Sequence, residues 1–213
     1  MIRRLASYYM ILGIKKLHEL VKEIKLVEGL CDRELNSPEG AGFDLRLGEV
    51  YELLGDGFLG VTERDTPKAK LVAKAKTPSN SPFPRGRTEN SSPSKGEARR
   101  GFEDEDAFIF EPGKYYLIKT IEKVNLPVSL SGIIFPRTTM FRSGLGLFNG
   151  VVQPGYSGEL TFGVSNLGQS NIKISFGARV VHITFHEVLG EGREYRGQWQ
   201  GGRVATEKKE TQI

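Results

Sequence analysis

The sequence predicts an all-β fold, a sandwich or a barrel such as a jelly roll, with one helix near its N-terminal end. Three observations support this prediction. Short runs of β-branched and aromatic residues recur from Phe108 onward, Gly- and Pro-containing turns separate them at fairly even spacing, and an earlier segment has apolar residues at helical spacing. A chain of 213 residues is long enough for one well-buried domain, and more than one is not expected.

Residues 1–30 are predicted to be an N-terminal segment that contains an amphipathic helix of about three turns. The apolar residues at helical spacing are Ile14, Leu17, Leu20, Val21 and Ile24. The residues before this helix lack the small-residue cleavage site of a signal peptide, and no run reaches the length of about 18 apolar residues that a membrane span needs. We therefore expect no membrane association. Met1 and Met10 are both compatible with the natural start.

Residues 31–189 are predicted to form the β domain. Its first strand lies between the glycines at 42 and 48 and continues through Val50–Leu54. The later strands are short, and many alternate between apolar and polar residues. These later strands are Tyr116–Thr120, Gly132–Phe135, Leu160–Val164, Ile172–Phe176 and Val180–Phe185.

Residues 77–101 have a different composition. These 25 positions contain four Pro, five Ser and three Gly, but only two apolar residues, Phe83 and Ala98. Because such a segment cannot bury enough apolar surface to offset its ordering entropy, we predict a disordered insertion. Its five basic and two acidic residues contribute +3 to the chain's net charge of +4, which leaves the folded body nearly neutral. We expect a solvated loop, and a nucleic-acid-binding arm is the less favoured alternative.

The last segment, residues 190–213, is a polar tail that contains Tyr195 and Trp199 among glycines and glutamines. This composition is compatible with a frayed end or with a flap that orders over an active site.

The cysteine and histidine contents argue against disulfides and zinc. Cys31 is the single cysteine, so no internal disulfide forms, and an unpaired cysteine fits a reducing cytoplasm. The three histidines, His18, His182 and His186, form no zinc motif with it. His182 and His186 lie four residues apart in a segment that alternates like a strand, where this spacing is too long for joint coordination. We predict no protein-held metal ion.

Pro136–Leu145 carries the most informative chemistry. Two arginines, Arg137 and Arg142, accompany two adjacent hydroxyl residues, Thr138 and Thr139, between two predicted strands. Guanidinium forks and hydroxyls are the groups with which proteins hold phosphate oxygens. The segment therefore predicts phosphate binding, and structural ion pairs of the same arginines are the alternative.

Six segments, in the same order, resemble the motifs of the trimeric dUTPase and dCTP deaminase superfamily, in its deaminase-like branch. Together they cover most of the chain outside the insertion. Arg137–Arg142 is similar to the pattern Arg-Ser-Ser-Leu-x-Arg, and Gly150–Glu159 is similar to Asp-Pro-Gly-Phe/Tyr-x-Gly. The other segments are Gly42–Gly48, Phe110–Leu117 followed by Val124–Pro127, Gly177–Val180 and Tyr195–Gln198.

The resemblance implies a distorted jelly-roll subunit of dUTPase type that forms a homotrimer with sites at the subunit interfaces. It implies a deoxypyrimidine nucleoside triphosphate as ligand, with Mg²⁺ bridging phosphate oxygens. Because Mg²⁺ in such sites is held largely by phosphates and water, it requires no cage of protein ligands. Arg137, Thr138 and Thr139 would hold phosphates, and Arg142 would reach across the interface.

By the same resemblance, the nucleoside would be bound by Gly150, Tyr156, Tyr195 and Gln198. Tyr156 would pack against the deoxyribose, where a 2′-hydroxyl would clash; a core or interface tyrosine is an equally good interpretation. The base-reading hairpin would run from Arg142 to Gln153.

The catalytic positions depart from the family pattern. Gln153 stands where dUTPases carry the aspartate that activates water; its side chain can orient water but cannot accept a proton, and loss of a general base typically costs about 10²–10⁴-fold in rate. Gly163 stands where deaminases carry their glutamate. Glu159 lies about 13 Å away along the strand. Two further departures are His182, in place of a glutamine, and Glu194, in place of a tail lysine.

Two functions remain open from the sequence. The first is an enzyme of deoxynucleotide metabolism that hydrolyses dUTP or a related triphosphate, with Gln153 placing the water, or Asp44 if the fold brings it close. Gly163 argues against dCTP deamination. The second is a non-catalytic family member that binds nucleotide or serves as a trimeric interaction module.

Overall fold

The computed structural model describes residues 11–75 and 106–211, so the insertion predicted at 77–101 lies outside the described residues. The helices are α1 (Ile14–Ile24), α2 (Asp32–Asn36) and α3 (Thr138–Arg142). The strands are β1 (Val27–Glu28), β2 (Phe43–Leu54), β3 (Phe58–Leu59), β4 (Glu63–Asp65), β5 (Lys68–Lys74), β6 (Ala107–Phe110), β7 (Tyr115–Asn125), β8 (Leu130–Pro136), β9 (Leu145–Phe148), β10 (Val151–Val152), β11 (Ser157–Asn166), β12 (Ile172–Ser175), β13 (Arg179–Glu187) and β14 (Glu210–Thr211).

Most of the described strands form one curled antiparallel sheet of nine strands. Its order is β10-β8-β13-β2-β7-β11-β9, with β5 beside β2 and β1 beside β7. The long strand β2 joins two parts of the sheet, because its first residues pair with β13 and its later residues pair with β7. A ribbon of β6 with β12 and a small sheet of β3, β4 and β14 complete the fold. The prediction of an all-β, jelly-roll-like fold is confirmed.

The predicted helix α1 packs onto the β domain rather than standing apart from it. It begins and ends at the predicted residues, and its Leu17 is fully buried. Leu17 belongs to the same hydrophobic core as Phe43 of β2 and Phe185 of β13. Within residues 11–75 and 106–211, no helix is long and apolar enough to cross a membrane.

A buried ion pair joins β2 to β7. The Glu122 side chain is fully buried, and its Oε1 accepts a hydrogen bond from Arg46 Nε at 2.5 Å. Its Oε2 accepts from the Arg46 backbone N–H at 2.8 Å, and Arg46 Nη2 donates to the Gly29 carbonyl at 2.6 Å. Removing one partner of such a pair would leave an uncompensated buried charge, which typically costs about 3–5 kcal/mol.

The segment from Arg142 to Gln153 does not form the predicted hairpin of mutually paired strands. Strand β9 pairs with β11, whereas β10 pairs with β8 on the other part of the sheet. The chain therefore crosses between the two parts at Asn149 and Gly150, and Asn149 Nδ2 donates to the Ile134 carbonyl at 2.9 Å.

Candidate functional site

Arg137 lies directly after β8, at the N-terminal end of α3. Its backbone N–H donates to the Val180 carbonyl at 3.1 Å, which fixes the start of the helix against β13. Its guanidinium group, about a quarter exposed, forms an ion pair with the carboxylate of Asp44. Burial lowers the pKa of Arg137, and the nearby charges of Arg179 and Arg33 lower it further.

The carboxylate of Asp44 lies at the centre of a cluster of positively charged arginine side chains. It is nearly buried in β2, opposite His182 of β13. Its Oδ2 atom contacts Arg137 and lies 2.8 Å from Arg179 Nη1 and 3.7 Å from Arg33 Nη1. Three guanidinium groups thus converge on one carboxylate oxygen, an arrangement that also suits a phosphate oxygen.

Glu34 supplies a second buried carboxylate to this cluster. Its Oε2 accepts a hydrogen bond from the Asp44 backbone N–H at 3.0 Å, and its Oε1 accepts from Arg33 Nη1 at 2.5 Å. Arg179 Nη1 lies 3.9 Å from the same Oε1 atom. His18 Nε2 lies 3.0 Å from the Glu34 carbonyl oxygen, so α1 and α2 are both tied to the cluster.

His182 closes the cluster beside Asp44. Its Nδ1 lies 2.8 Å from Asp44 Oδ1, and its Nε2 lies 3.4 Å from the Ala41 carbonyl oxygen. Because a carboxylate only accepts hydrogen bonds, Nδ1 carries a proton in this arrangement. Burial lowers the pKa of His182, and the Ala41 carbonyl and the charge of Glu34 oppose that effect. As predicted, His182 lies on a strand.

The other residues of the predicted phosphate loop are accessible. Thr138, Thr139 and Arg142 are solvent exposed on α3, which Met140 anchors in the core. Thr139 and Arg179 line a cavity of about 330 Å³ between α3, β12 and the start of β13. We call the Arg137, Arg179, Asp44 and Arg33 cluster, with the exposed face of α3, the phosphate half.

A second cavity, of about 300 Å³, contains most of the predicted nucleoside-binding residues. Gly150, Gln153, Tyr156 and Tyr195 all line it. Other residues that line the same cavity were not assigned from the sequence: Leu117, Val151, Val152, Leu160, Thr161, Phe162, Trp199, Arg203 and Val204. We call this cavity, with the turn at Gln153–Tyr156 and the tail that covers it, the nucleoside half.

Tyr156 follows a tight turn and is nearly buried. Its backbone N–H donates to the Gln153 carbonyl at 3.2 Å, and its hydroxyl donates to the Glu159 carbonyl at 2.7 Å. Its ring makes an edge contact with Tyr195, with ring centroids 5.6 Å apart. Burial raises the pKa of Tyr156 to about 12. The hydroxyl is therefore a neutral structural group, and the residue also lines the cavity.

The tail closes over this turn through neutral hydrogen bonds. The Tyr195 backbone N–H donates to the Pro154 carbonyl at 2.8 Å. Gln200 Oε1 accepts from the Ser157 N–H at 3.1 Å, and Gln200 Nε2 donates to the Gly155 carbonyl at 3.0 Å. The tail of this chain is therefore ordered over its own turn.

Gln198 is not among the residues that line the nucleoside cavity. Its Nε2 is buried and has no hydrogen-bond partner among the described residues. The prediction that Gln198 contacts the nucleoside is thus not matched by its position in the described chain, where the neighbouring Trp199 lines the cavity instead.

Gly163 is closely covered by an aromatic residue. A Cβ atom at Gly163 would collide with the hydroxyl and ring of Tyr115, which reaches over from β7. Tyr115 also packs against Phe148 of β9, with ring centroids 5.8 Å apart. A side chain at the position that lacks a carboxylate would therefore require the exposed Tyr115 side chain to move.

The two halves lie at opposite ends of β8. Val152, next to Gln153, pairs with Gly132, whereas Arg137 follows the last residue of the strand. The five residue-to-residue steps from Gly132 to Arg137 correspond to about 17 Å of extended strand. A group that acts on a reacting water must lie within about 3 Å of it. Within one chain, the main chain at Gln153 is therefore far outside this distance from the main chain at Arg137.

No binding role was assigned from the sequence to Arg33, Glu34, Trp199 or Arg203, although Trp199 was named in the tail. Arg33 and Glu34 lie on α2, a short helix whose five residues give no periodic pattern. Trp199 is the single tryptophan of the chain and lies in a polar tail, which was a usable signal. Among the described residues, no three His, Cys, Asp or Glu side chains are grouped to hold a metal ion.

Comparison with protein families gives one match that covers most of the chain. The family described as dCTP deaminase-like matches residues 11–188. Two similar relatives are a probable deoxyuridine 5′-triphosphate nucleotidohydrolase of Methanothermobacter thermautotrophicus and a dCTP deaminase of Pyrococcus furiosus. The first is 26% identical over 160 residues, which is 75% of this chain and 85% of the relative. The second is 34% identical over 110 residues, which is 50% of this chain and 70% of the relative.

Among solved structures, the fold is similar to that of the 2′-deoxycytidine 5′-triphosphate deaminase of Agrobacterium tumefaciens. The TM-score is 0.56 and the sequence identity is 15%. The match covers 85% of this chain but 49% of that deaminase, so the chain spans about half of its length. At this identity, the likeness concerns the fold.

Proposed function

Because this chain belongs to the dCTP deaminase-like family, we propose that it binds a deoxypyrimidine nucleoside triphosphate and processes it by hydrolysis, as an enzyme of nucleotide metabolism. The observation that carries this proposal is the convergence of Arg137 and Arg179 on one oxygen of Asp44. The arginine that the motif assigns to phosphate already holds an anionic oxygen. A phosphate oxygen would share or replace the position of that carboxylate oxygen.

The lining of the nucleoside half supports the proposal that the rest of the ligand is a pyrimidine nucleoside. Its cavity of about 300 Å³ is lined by four aromatic rings, those of Tyr156, Phe162, Tyr195 and Trp199. Aromatic side chains stack on bases, and each such contact typically contributes about 1–3 kcal/mol. In this proposal Gly150 and the turn at Gln153 flank the base and sugar, and Tyr156 presents its ring edge to the deoxyribose.

We further propose that the functional site is shared between copies of the chain, in a homotrimer. The support is the separation of about 17 Å between the phosphate half and Gln153 along β8. A second copy that brings its nucleoside half to the phosphate half of the first would close this gap. In this arrangement Arg142, exposed on α3, reaches towards the neighbouring copy.

Hydrolysis is favoured over deamination by one of the two altered positions, Gly163. In the proposed reaction a water oxygen attacks the α-phosphorus, the bond from that phosphorus to the oxygen shared with the β-phosphate breaks, pyrophosphate leaves with that oxygen, and the water proton passes to solvent. The Gln153 carbonyl would orient the water, although it cannot take its proton. Gly163 offers no acid or base for attack on the base ring, and Tyr115 fills the space beside it.

The donor groups of the phosphate half fit a magnesium ion bound through the ligand rather than through the protein. Asp44 and Glu34, the carboxylates nearest to Arg137, are both engaged by arginines. Mg²⁺ commonly keeps several waters and binds through substrate phosphates. The bound Mg²⁺ would neutralise part of the phosphate charge.

We place this activity in the cytoplasm, in keeping with the single unpaired cysteine. We also propose that the chain is divided into residues 1–30, 31–189 and 190–213.

The test is incubation of the full chain with dUTP, dCTP and dTTP in the presence of Mg²⁺, followed by chromatographic separation of products. We expect pyrophosphate and a monophosphate, without ammonia. Ammonia release from dCTP would overturn the preference for hydrolysis. Saturable triphosphate binding without turnover would favour a non-catalytic nucleotide-binding member, an alternative that the absence of a proton acceptor at Gln153 supports.

A mixing experiment tests the shared site. Arg137→Ala and Gln153→Ala chains are each expected to be inactive, since each damages one half. If sites form between copies, randomly mixed chains should regain about a quarter of the wild-type sites, because each intact half can meet an intact half from its neighbour. Absence of recovery in co-refolded mixtures of confirmed trimers would contradict the shared site.

A further inference from the structure

Arg33 is the one guanidinium group of the phosphate half that belongs to no assigned motif. It lies on the short helix α2, and its side chain is about a quarter exposed. Its Nη1 lies 3.7 Å from Asp44 Oδ2, the oxygen that Arg137 and Arg179 also contact. A third cation is therefore held where two others already converge.

The charges around Asp44 are not balanced by buried anions. Three guanidinium groups face two buried carboxylates, those of Asp44 and Glu34. The third carboxylate in reach, Glu39, lies 3.0 Å from Arg33 Nη2 and its side chain is 82% exposed. An exposed ion pair of this kind contributes typically about 0–1 kcal/mol, so a ligand anion can replace Glu39 at small cost.

The position of Arg33 is fixed by the fold rather than by solvent-exposed contacts. Glu34, buried beside it, accepts hydrogen bonds from Arg33 and from the Asp44 backbone N–H. The Glu34 carbonyl oxygen lies 3.0 Å from His18 Nε2 on α1. Arg33 is thus preorganised at the rim of the cluster, and little side-chain entropy remains to be lost on binding.

We infer that Arg33 is a further phosphate-binding residue, which contacts an outer phosphate of the triphosphate chain. The inference rests on the proposed function. Arg137 and Arg179 directly contact the Asp44 oxygen and hold the inner position, whereas Arg33 lies farther from it and extends towards exposed Glu39. Arg33 therefore contributes to triphosphate binding and not to monophosphate binding.

The test compares calorimetric affinities of wild type, Arg33→Gln and Arg33→Lys for dUTP, dUMP and inorganic tripolyphosphate. Charge-assisted hydrogen bonds are worth enough for a 10- to 100-fold effect. We expect Arg33→Gln to bind dUTP and tripolyphosphate about 10- to 100-fold more weakly and dUMP less than about threefold more weakly. Arg33→Lys keeps the charge without the fork and should lose less.

Lys114→Gln, which removes one positive charge at an exposed turn, is the matched control and should bind all three ligands like wild type. Unchanged dUTP affinity in Arg33→Gln would overturn the inference and leave the proposed function intact. An equal loss for dUMP and dUTP would assign Arg33 a structural role instead.

Failure of the proposed function has a different signature. If wild type binds no deoxynucleotide but binds tripolyphosphate, and Arg33→Gln loses that binding, the Arg33 assignment stands for a different polyphosphate ligand. If wild type binds neither nucleotide nor tripolyphosphate, both proposals are wrong. Should Arg33→Gln fail to fold, the comparison of Arg33→Lys with Lys114→Gln tests the inference instead. Arg33→Lys keeps the charge but loses the bidentate hydrogen bonds of the guanidinium group, so it must bind dUTP more weakly than Lys114→Gln does.

Discussion

The phosphate half and the nucleoside half are built from different interactions. In the phosphate half, arginines from α2, from the start of α3 and from β13 are held by carboxylates, and these same arginines are the groups that we propose bind phosphate. In the nucleoside half, a turn and a tail are joined by neutral hydrogen bonds and ring contacts. If both halves bind the proposed ligand, its binding would compete with internal ion pairs in the phosphate half and would add to existing contacts in the nucleoside half.

The largest effect is expected from Asp44→Ala, which breaks the phosphate half. Three guanidinium groups would then face each other without the carboxylate between them. Loss of one partner of a nearly buried ion pair typically costs about 3–5 kcal/mol, and we expect about 3 kcal/mol of lost unfolding free energy in urea denaturation. Inorganic tripolyphosphate should restore part of this stability, because its oxygens replace the carboxylate.

Glu19→Ala is the control for Asp44→Ala. Glu19 is paired with Lys16 on the exposed face of α1, at 3.3 Å. Such a pair contributes about 0.3–0.5 kcal/mol, so the control should be close to wild type. A loss below about 1 kcal/mol in Asp44→Ala, or no response to tripolyphosphate, would show that the arginines do not depend on this carboxylate.

The next effect, Arg137→Ala, tests whether the same half binds the ligand. We expect about 100-fold weaker dUTP binding by calorimetry, because loss of the guanidinium group removes charge-assisted hydrogen bonds worth about 1.5–3 kcal/mol. Binding of tripolyphosphate should fall by a similar factor. Retained affinity for both would refute the phosphate assignment, and the circular dichroism spectrum serves to confirm that the variant is folded.

Trp199→Ala should give a smaller loss that separates the two halves. Trp199 lines the nucleoside cavity and does not belong to the arginine cluster around Asp44. Loss of a base-stacking ring typically costs about 1–3 kcal/mol, so we expect roughly tenfold weaker dUTP binding. Tripolyphosphate binding should be unchanged, because that ligand has no base. A parallel loss for tripolyphosphate would indicate that the tail supports both halves, which contradicts their independence.

The elements of the fold were largely predictable from the sequence, because periodicity and turn chemistry are local. α1 and the central β strands lie where the apolar spacing places them. The pairing of β9 with β11 and of β10 with β8 was not predictable, since register depends on partners distant in the chain. The buried Arg46–Glu122 pair was missed for the same reason: 76 residues separate its partners.

Some residues of the candidate site were predictable from the sequence and others were not, because the latter reach the site only through tertiary packing. Arg137 stands in a segment whose local chemistry already indicates phosphate. Arg33 acquires its place only through Glu34 and Asp44, contacts that no local pattern encodes. Gln198 and Trp199 are neighbours in the tail, and which of them faces the cavity depends on how the tail packs on the turn.

The smallest effect concerns His182, which tests whether ionic interactions in the phosphate half depend on pH. Burial lowers the pKa of His182 in the folded protein below its ordinary value near 6.5. The unfolded chain therefore binds the proton more readily. The contribution of His182 to stability is fully present above about pH 6.5 and is lost as pH falls from that value through the lower pKa of the folded state.

His182→Gln removes this titrating group and keeps a side chain that can donate to Asp44. We expect the unfolding free energy of this variant to depend less on pH between 7 and 5 than that of wild type, as measured by urea denaturation at each pH. Asp44 keeps a donor in both proteins, so a difference in slope reports the proton rather than the hydrogen bond. Equal slopes would mean that the Asp44 carboxylate offsets the effect of burial on His182. A steeper slope in the variant would show that Asp44 and Glu34 raise the pKa of His182, so that the protonated ring strengthens the cluster.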